Sequence, residues 1–390
     1  VGSRTLNATR YAALGAALIA MSYGLARFAF GLYVPSIRAD LGLSPEIIGR
    51  VGAVPYLSFC FASVFAAGVV DRLGARGAAL TSCLFGVLGL LVISQSQNAW
   101  MLAGGVFACG ICTGLMMPAL SGGMRAAVRP AVHGRVGAIM NAGTSLGVVV
   151  SVPTALWLAS QWRGSYVGFA LVAVFCALLA WWFVPSSAGM EYAGENSTGS
   201  LSTGRKALRR LALFSFGMGL TSSAYWVFAP DLIQSVGELP KSSSAWLWLA
   251  LGLAGLAGGA ASDLADRIGI ALTQGLALAA MSASLLTVAL WPGSLSIVLA
   301  SAALFGAVYM MLTGIHLVTG VRLLRHHPSL GPVIPFLAIA LGQAAGSPLV
   351  GILETRLGYV DAFCVIAAIG VVLALSSRWF PTTCPEDNAE

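Results

Sequence analysis

The sequence predicts an all-α integral membrane protein with twelve transmembrane helices, arranged as two pseudo-symmetric six-helix bundles. Three observations carry this. Hydrophobic residues make up 58% of the chain and charged residues only 9%, against roughly 25% charged in an ordinary soluble domain; so few charges cannot cover a water-exposed surface. Apolar runs of about 20 residues, enough to cross a bilayer as a helix, follow one another along the chain. The stretch Asp-Arg-Leu-Gly from Asp71 returns as Asp-Arg-Ile-Gly from Asp266, 195 residues later in a chain of 390. Pro35 and Pro230, Gly42 and Gly237, Gly147 and Gly342, and Pro153 and Pro348 recur at the same offset. Turns and prolines that repeat at the midpoint mark two copies of one unit.

The first unit, 1–185, holds apolar segments at about 11–37, 46–69, 77–95, 98–122, 136–159 and 165–184. A polar stretch rich in Ser and Gly follows and reads as a linker, 186–206. The second unit, 207–390, holds segments at about 207–234, 243–262, 268–291, 294–321, 332–354 and 360–380. The first segment is too long for the apolar core of a signal peptide. Small residues four apart, such as Gly110 with Gly114 and Gly342 with Gly346, allow close helix approach.

Lys and Arg set the expected orientation. With both termini inside, fifteen of them fall in inside loops and five outside, as the positive-inside rule requires. Both Asp-Arg-x-Gly turns and the linker are then cytoplasmic. This topology absorbs the net charge of +7, so nucleic acid is not an expected partner. A multi-pass protein of a bacterial cytoplasmic membrane, monomeric in membrane lipid, is the expected setting. Asn196 begins a glycosylation triplet, but in a loop expected inside. The seven cysteines are scattered. Cys109 and Cys112 have CxxC spacing inside an apolar segment, where thiols behave as small hydrophobes. No metal site, cofactor motif, nucleotide loop or catalytic triad is present, so an enzyme is not expected.

Arg27 is the most informative residue. It lies in the first segment among apolar neighbours, where a guanidinium costs about 2.5–3.5 kcal/mol on insertion scales. Nothing acidic lies near it in sequence. At α-helical spacing it shares a face with Tyr23, Phe30 and Val34. Two readings stand: an anion anchor that grips a substrate carboxylate, or a structural lock bonded to backbone or to a residue such as Asp231. At the repeat offset Arg27 corresponds to Ser222, and the seventh segment offers Ser222, Tyr225 and Trp226 without charge. One cation facing neutral polar groups suits a monoanion. Asn141 and Gln343, amides inside the fifth and eleventh segments, are further substrate contacts or helix-joining groups. His316, on a face with Tyr309 and Thr313, and Asp231, beside Pro230, are candidates for proton coupling.

Six helices plus six, a central loop and an Asp-Arg-x-Gly turn after the second and eighth helix resemble the major facilitator superfamily across essentially the whole chain. The family signature reads roughly G-x-L-A-D-R-x-G-R-R. The second copy here, from Ser262 to Gly269, has Ser262 for the first Gly and lacks the basic end; the first keeps Asp71, Arg72, Gly74 and Arg76. The first segment, Tyr23 to Pro35, looks like the YbfB-like bacterial branch near the cyanate- and oxalate-type anion carriers. The resemblance implies a cytoplasmic gate at Asp71, Arg72, Arg76, Asp266 and Arg267. It also implies secondary active transport by alternating access, with a small organic anion as substrate, such as a monocarboxylate or aromatic acid, and protons or a counter-anion as coupling partner. A proton-coupled drug or metabolite exporter is the alternative; a membrane receptor or scaffold that moves nothing is the alternative of another class.

Overall fold

In the computed structural model, residues 7–157, 161–186, 205–257, 267–324 and 331–381 are described. Among them the secondary structure is helical, and ten helices are long and apolar enough to cross a membrane. In chain order they are α1 (Ala8–Leu41), α2 (Pro45–Ser94), α3 (Ala99–Ala127), α4 (His133–Trp157), α5 (Trp162–Phe183) and α6 (Arg205–Ser235). A shorter apolar helix, α7 (Ser242–Ala257), precedes α8 (Ile270–Leu290), α9 (Leu295–Leu323), α10 (Val333–Leu357) and α11 (Tyr359–Leu375). The boundaries fall within a few residues of those expected, apart from α2, which runs through two expected segments. The linker apart from its two ends, Asn196, Asp266 and Cys384 lie outside the described residues.

Local chemistry starts and stops these helices. Ser44 caps α2 by accepting from the Ile47 N–H at 3.4 Å, with Pro45 and Glu46 in the first turn. Asn98 caps α3 through the Met101 N–H at 2.9 Å. The two repeated turns show why glycine recurs. Gly74 has φ +70° and breaks the helical path inside α2; Gly269 has φ +89° and begins α8. Both lie in the region that side chains rarely adopt.

One feature of α1 departs from α-helical expectation. Residues Ala20–Phe28 form a π-helical stretch, closed by the Ala29 N–H donating to the Gly24 carbonyl, five residues back. Neighbouring groups support it. Thr113 Oγ1 donates to the Ser22 carbonyl at 3.2 Å, and Ser22 Oγ donates to Leu18. Gly24 lies against Gly147 of α4 so closely that a Cβ on it would stand 2.3 Å from the Gly147 Cα. The wider turn re-aims the side chains of α1. Tyr23 and Arg27 stay together, but Phe30 and Val34 do not continue their face.

Helices from before and after residue 186 meet from the level of Arg27 to the end of the molecule that holds Arg38. Gly31 of α1 packs on the Trp226 carbonyl, Ser347 Oγ donates to the Gly49 carbonyl at 2.8 Å, and Gly252 of α7 lies against Val148 and Val149.

Candidate functional site

A cleft with about 430 Å³ of empty space, part of it open to solvent, lies beside the π-helical stretch. Among the described residues, Arg27 is the one charged residue that lines it. Tyr23, Phe28, Phe59, Tyr309 and Phe336 supply aromatic walls, Met310 and Ile339 aliphatic ones, and Asn141, Thr144, Thr313 and Gln343 neutral polar groups.

Arg27 is 7% exposed. Its guanidinium carbon lies 4.5 Å from the Tyr56 ring centre, 4.8 Å from Phe59, 5.3 Å from Phe28 and 5.9 Å from Tyr23. Such faces attract a cation electrostatically, which is how the chain keeps a charge here without an acid beside it. Nη2 donates to Gln343 Oε1 at 3.1 Å, and Gln343 Nε2 donates to the Tyr309 hydroxyl at 3.2 Å. The Arg27 Nε finds no acceptor among the described residues, and the Tyr56 hydroxyl lies close enough to the guanidinium to interact with it.

The structure brings four of the expected site residues to the cleft: Tyr23, Arg27, Asn141 and Gln343. Phe30 is buried away from it, because the π-helical turn changes the spacing that placed it beside Arg27. Ser222 donates back to the Gly219 carbonyl at 3.0 Å, and Tyr225 bonds Ser301 at 3.0 Å while stacking on Phe305. Trp226 stacks on Phe28 at 4.1 Å and meets Tyr309 edge-on, so it backs the aromatic wall without lining the cleft. Phe28, Tyr56 and Phe59 were not singled out in the sequence. Tyr56 and Phe59, three apart and so on one helical face of the second segment, were the available signal.

Asp231 is not the partner of Arg27. It accepts from Arg38 and Tyr359, and from Ser235 at 3.3 Å, at the Arg38 end of the molecule. Arg38 also donates to the Tyr359 hydroxyl at 2.7 Å and to the Leu43 carbonyl at 3.2 Å. This ion pair joins the end of α1 to the end of α6 and the start of α11. His316 lies off the cleft and is fully buried. Its Nδ1 faces Ser215 Oγ and its Nε2 faces Gln274 Oε1, both at 3.1 Å, and its ring stacks on Phe380. At the opposite end, Asp71 and Arg72 are exposed, Arg76 donates to the Val184 carbonyl at 2.7 Å, and Arg267 is exposed. Among the described residues no cluster of His, Cys, Asp or Glu could hold a metal ion.

The fold is similar to that of solved transporters. A POT family transporter in complex with 5-aminolevulinic acid superposes with a TM-score of 0.76 at 15% identity, covering 97% of this chain and 96% of that one. A nucleoside transporter gives 0.74 at 14%, covering 95% and 100%. A bacterial homologue of the human lysosomal transporter Spinster, inward-facing and unoccupied, gives 0.73 at 14%, covering 97% and 98%. In sequence, 156 residues are 27% identical to the solute carrier family 2 facilitated glucose transporter member 8 of Bos taurus, 39% of this chain and 32% of that protein. The chain thus matches about a third of that relative's length. Residues 16–329 match the Major Facilitator Superfamily. With that match over most of its length, its apolar helices and its cleft, the chain belongs to the Major Facilitator Superfamily, as a multi-pass membrane protein of transporter type and not an enzyme.

Proposed function

We propose that the protein is a secondary active transporter that works by alternating access and carries a small organic anion, with Arg27 as the anion anchor. The observation that carries this is the state of Arg27: buried, lining the cleft and, among the described residues, bare of any acidic partner and with its Nε unsatisfied. A buried ionised donor is costly unless paired, and a bound anion supplies the pair. The cleft holds no carboxylate among its described lining residues, which disfavours a carrier of cationic drugs.

In this proposal the α2 path on either side of Gly74 counts as two spans and α7 as one, giving twelve helices in two bundles, 1–185 and 207–390, joined by the linker. The Arg38 end is the outer face and is closed; the Asp71 end is the cytoplasmic face, with Asp71, Arg72, Arg76, Asp266 and Arg267 forming the gate that engages in the opposite state. Both termini are cytoplasmic. Asp231 belongs to the outer closure and is the coupling candidate, while His316 ties α6, α8 and α9 together. The likeness of Tyr23–Pro35 to the YbfB-like branch agrees with an anion carrier.

Arg27→Gln tests the anchor. Losing one member of a buried charge-assisted contact costs about 2–5 kcal/mol, at least a roughly 30-fold loss of anion affinity. The purified variant should keep most of its ligand-free melting temperature, because the substituted amide leaves no buried charge. Arg27→Lys should keep part of the affinity, since the charge stays while the planar fork is lost. Wild-type affinity for organic anions in a folded Arg27→Gln protein would defeat the proposal.

A further inference from the structure

The Nε and Nη2 hydrogens of an arginine lie on one edge of the guanidinium and point the same way, which is the geometry that two carboxylate oxygens match. In this structure one amide oxygen serves that edge. Gln343 Oε1 accepts from Nη2, and Nε meets no acceptor among the described residues. Gln343 reaches Arg27 across 316 residues of sequence, is fully buried, and is steadied by its own bond to Tyr309. An amide can present one oxygen here; a carboxylate presents two, and with them a charge.

The surroundings restrict what else the ligand carries. The aromatic faces nearest the edge, those of Tyr56, Phe59, Phe28 and Tyr23, already face the guanidinium. None of the described lining residues is acidic. An ammonium beside the bound carboxylate would meet the Arg27 charge at short range with no acid among the described lining residues to receive it; the two remaining aromatic walls, Tyr309 and Phe336, carry no charge to offset that repulsion.

We propose that Gln343 is a tethered stand-in for the substrate's carboxylate: the substrate displaces its amide oxygen and takes the whole Nε–Nη2 edge, and the site admits monocarboxylates that carry no ammonium group. This rests on Arg27 as the anion anchor. Gln343 keeps its hold on Tyr309 when displaced, so the exchange is local and reversible.

The experiment uses the full purified chain with 3-phenylpropionate, butyrate and phenylalanine as probes, read by affinity and by melting temperature. The wild type should bind 3-phenylpropionate at least about tenfold more tightly than phenylalanine. Gln343→Glu keeps the size and supplies a tethered carboxylate. It should raise the ligand-free melting temperature and weaken 3-phenylpropionate by about tenfold or more. Gln343→Ala removes the competitor and should bind 3-phenylpropionate as tightly as wild type or more so; a merely structural role predicts weaker binding instead. Unchanged affinity in Gln343→Glu, or lost affinity in Gln343→Ala, overturns the stand-in. Equal binding of phenylalanine, or no binding of either acid to the wild type, overturns the substrate class. Wild-type affinity in Arg27→Gln defeats the anchor itself, whereas lost affinity there with retained affinity in Gln343→Glu defeats only the stand-in.

Discussion

Replacing Asp231 by Asn should move the resting conformation. Asp231 is 4% exposed and accepts from Arg38, Tyr359 and Ser235. Arg38 comes from α1, and Asp231 and Tyr359 from α6 and α11, so in the proposed cycle these contacts exist only while the two sides are together at this end. Breaking a fully buried pair by removing one partner costs about 3–5 kcal/mol. The Arg38 side chain is 25% exposed and can recover some hydration, and the Asn amide still accepts one hydrogen bond. The loss is then nearer to that of one charge-assisted hydrogen bond, about 1.5–3 kcal/mol. Every 1.4 kcal/mol is tenfold in an equilibrium, so the closed state should lose at least about tenfold in population against the state open at this end. Val34 of α1 is fully buried below the pair. A cysteine at Val34, in a background without other cysteines, should react with a membrane-impermeant thiol reagent at least about tenfold faster once Asp231 is Asn. Tyr359→Phe, which removes a hydroxyl but no charge, should give a smaller acceleration. Unchanged labelling in a folded Asp231→Asn protein would show that this pair does not hold the closure.

Three further outcomes follow from the same geometry. His316→Leu should leave Ser215 and Gln274 without their buried partner and lower stability by about 1–3 kcal/mol, read as a lower melting temperature, while 3-phenylpropionate affinity holds; loss of proton-driven accumulation at full stability would instead return His316 to a coupling role. Gly147→Ala should destabilise by about 1–3 kcal/mol or more, because its Cβ would stand 2.2 Å from the Ala20 carbonyl oxygen, while Gly168→Ala, with open space around it, should be neutral in melting temperature. Asp71→Asn should leave melting unchanged, since Asp71 is exposed here, and should alter accessibility at the Asp71 end of the molecule; equal accessibility with normal transport removes Asp71 from the proposed gate.

The sequence by itself determined the membrane class, the positions of the helices, the repeated turns and the isolated cation at Arg27. Each follows from local chemistry: a scarcity of charge, runs of apolar residues, glycines at left-handed turns, and a guanidinium with no acid nearby. Tertiary structure alone decided which groups meet. Gln343 and Tyr309 reach Arg27 from helices more than 280 residues away, and Tyr56 and Phe59 supply its faces from α2. Asp231 turned out to face Arg38, and the π-helical stretch carried Phe30 out of the expected face. The physical reason is the bilayer. A soluble helix shows its buried face by an apolar stripe against a polar one. A membrane helix is apolar toward lipid and toward its neighbours alike, so periodicity does not say which side faces the cleft. That orientation is set by close glycine contacts such as Gly24 on Gly147 and by side chains that bond a neighbouring helix's backbone, as Thr113 does the Ser22 carbonyl, and these pairings between distant parts of the chain leave no local pattern to read.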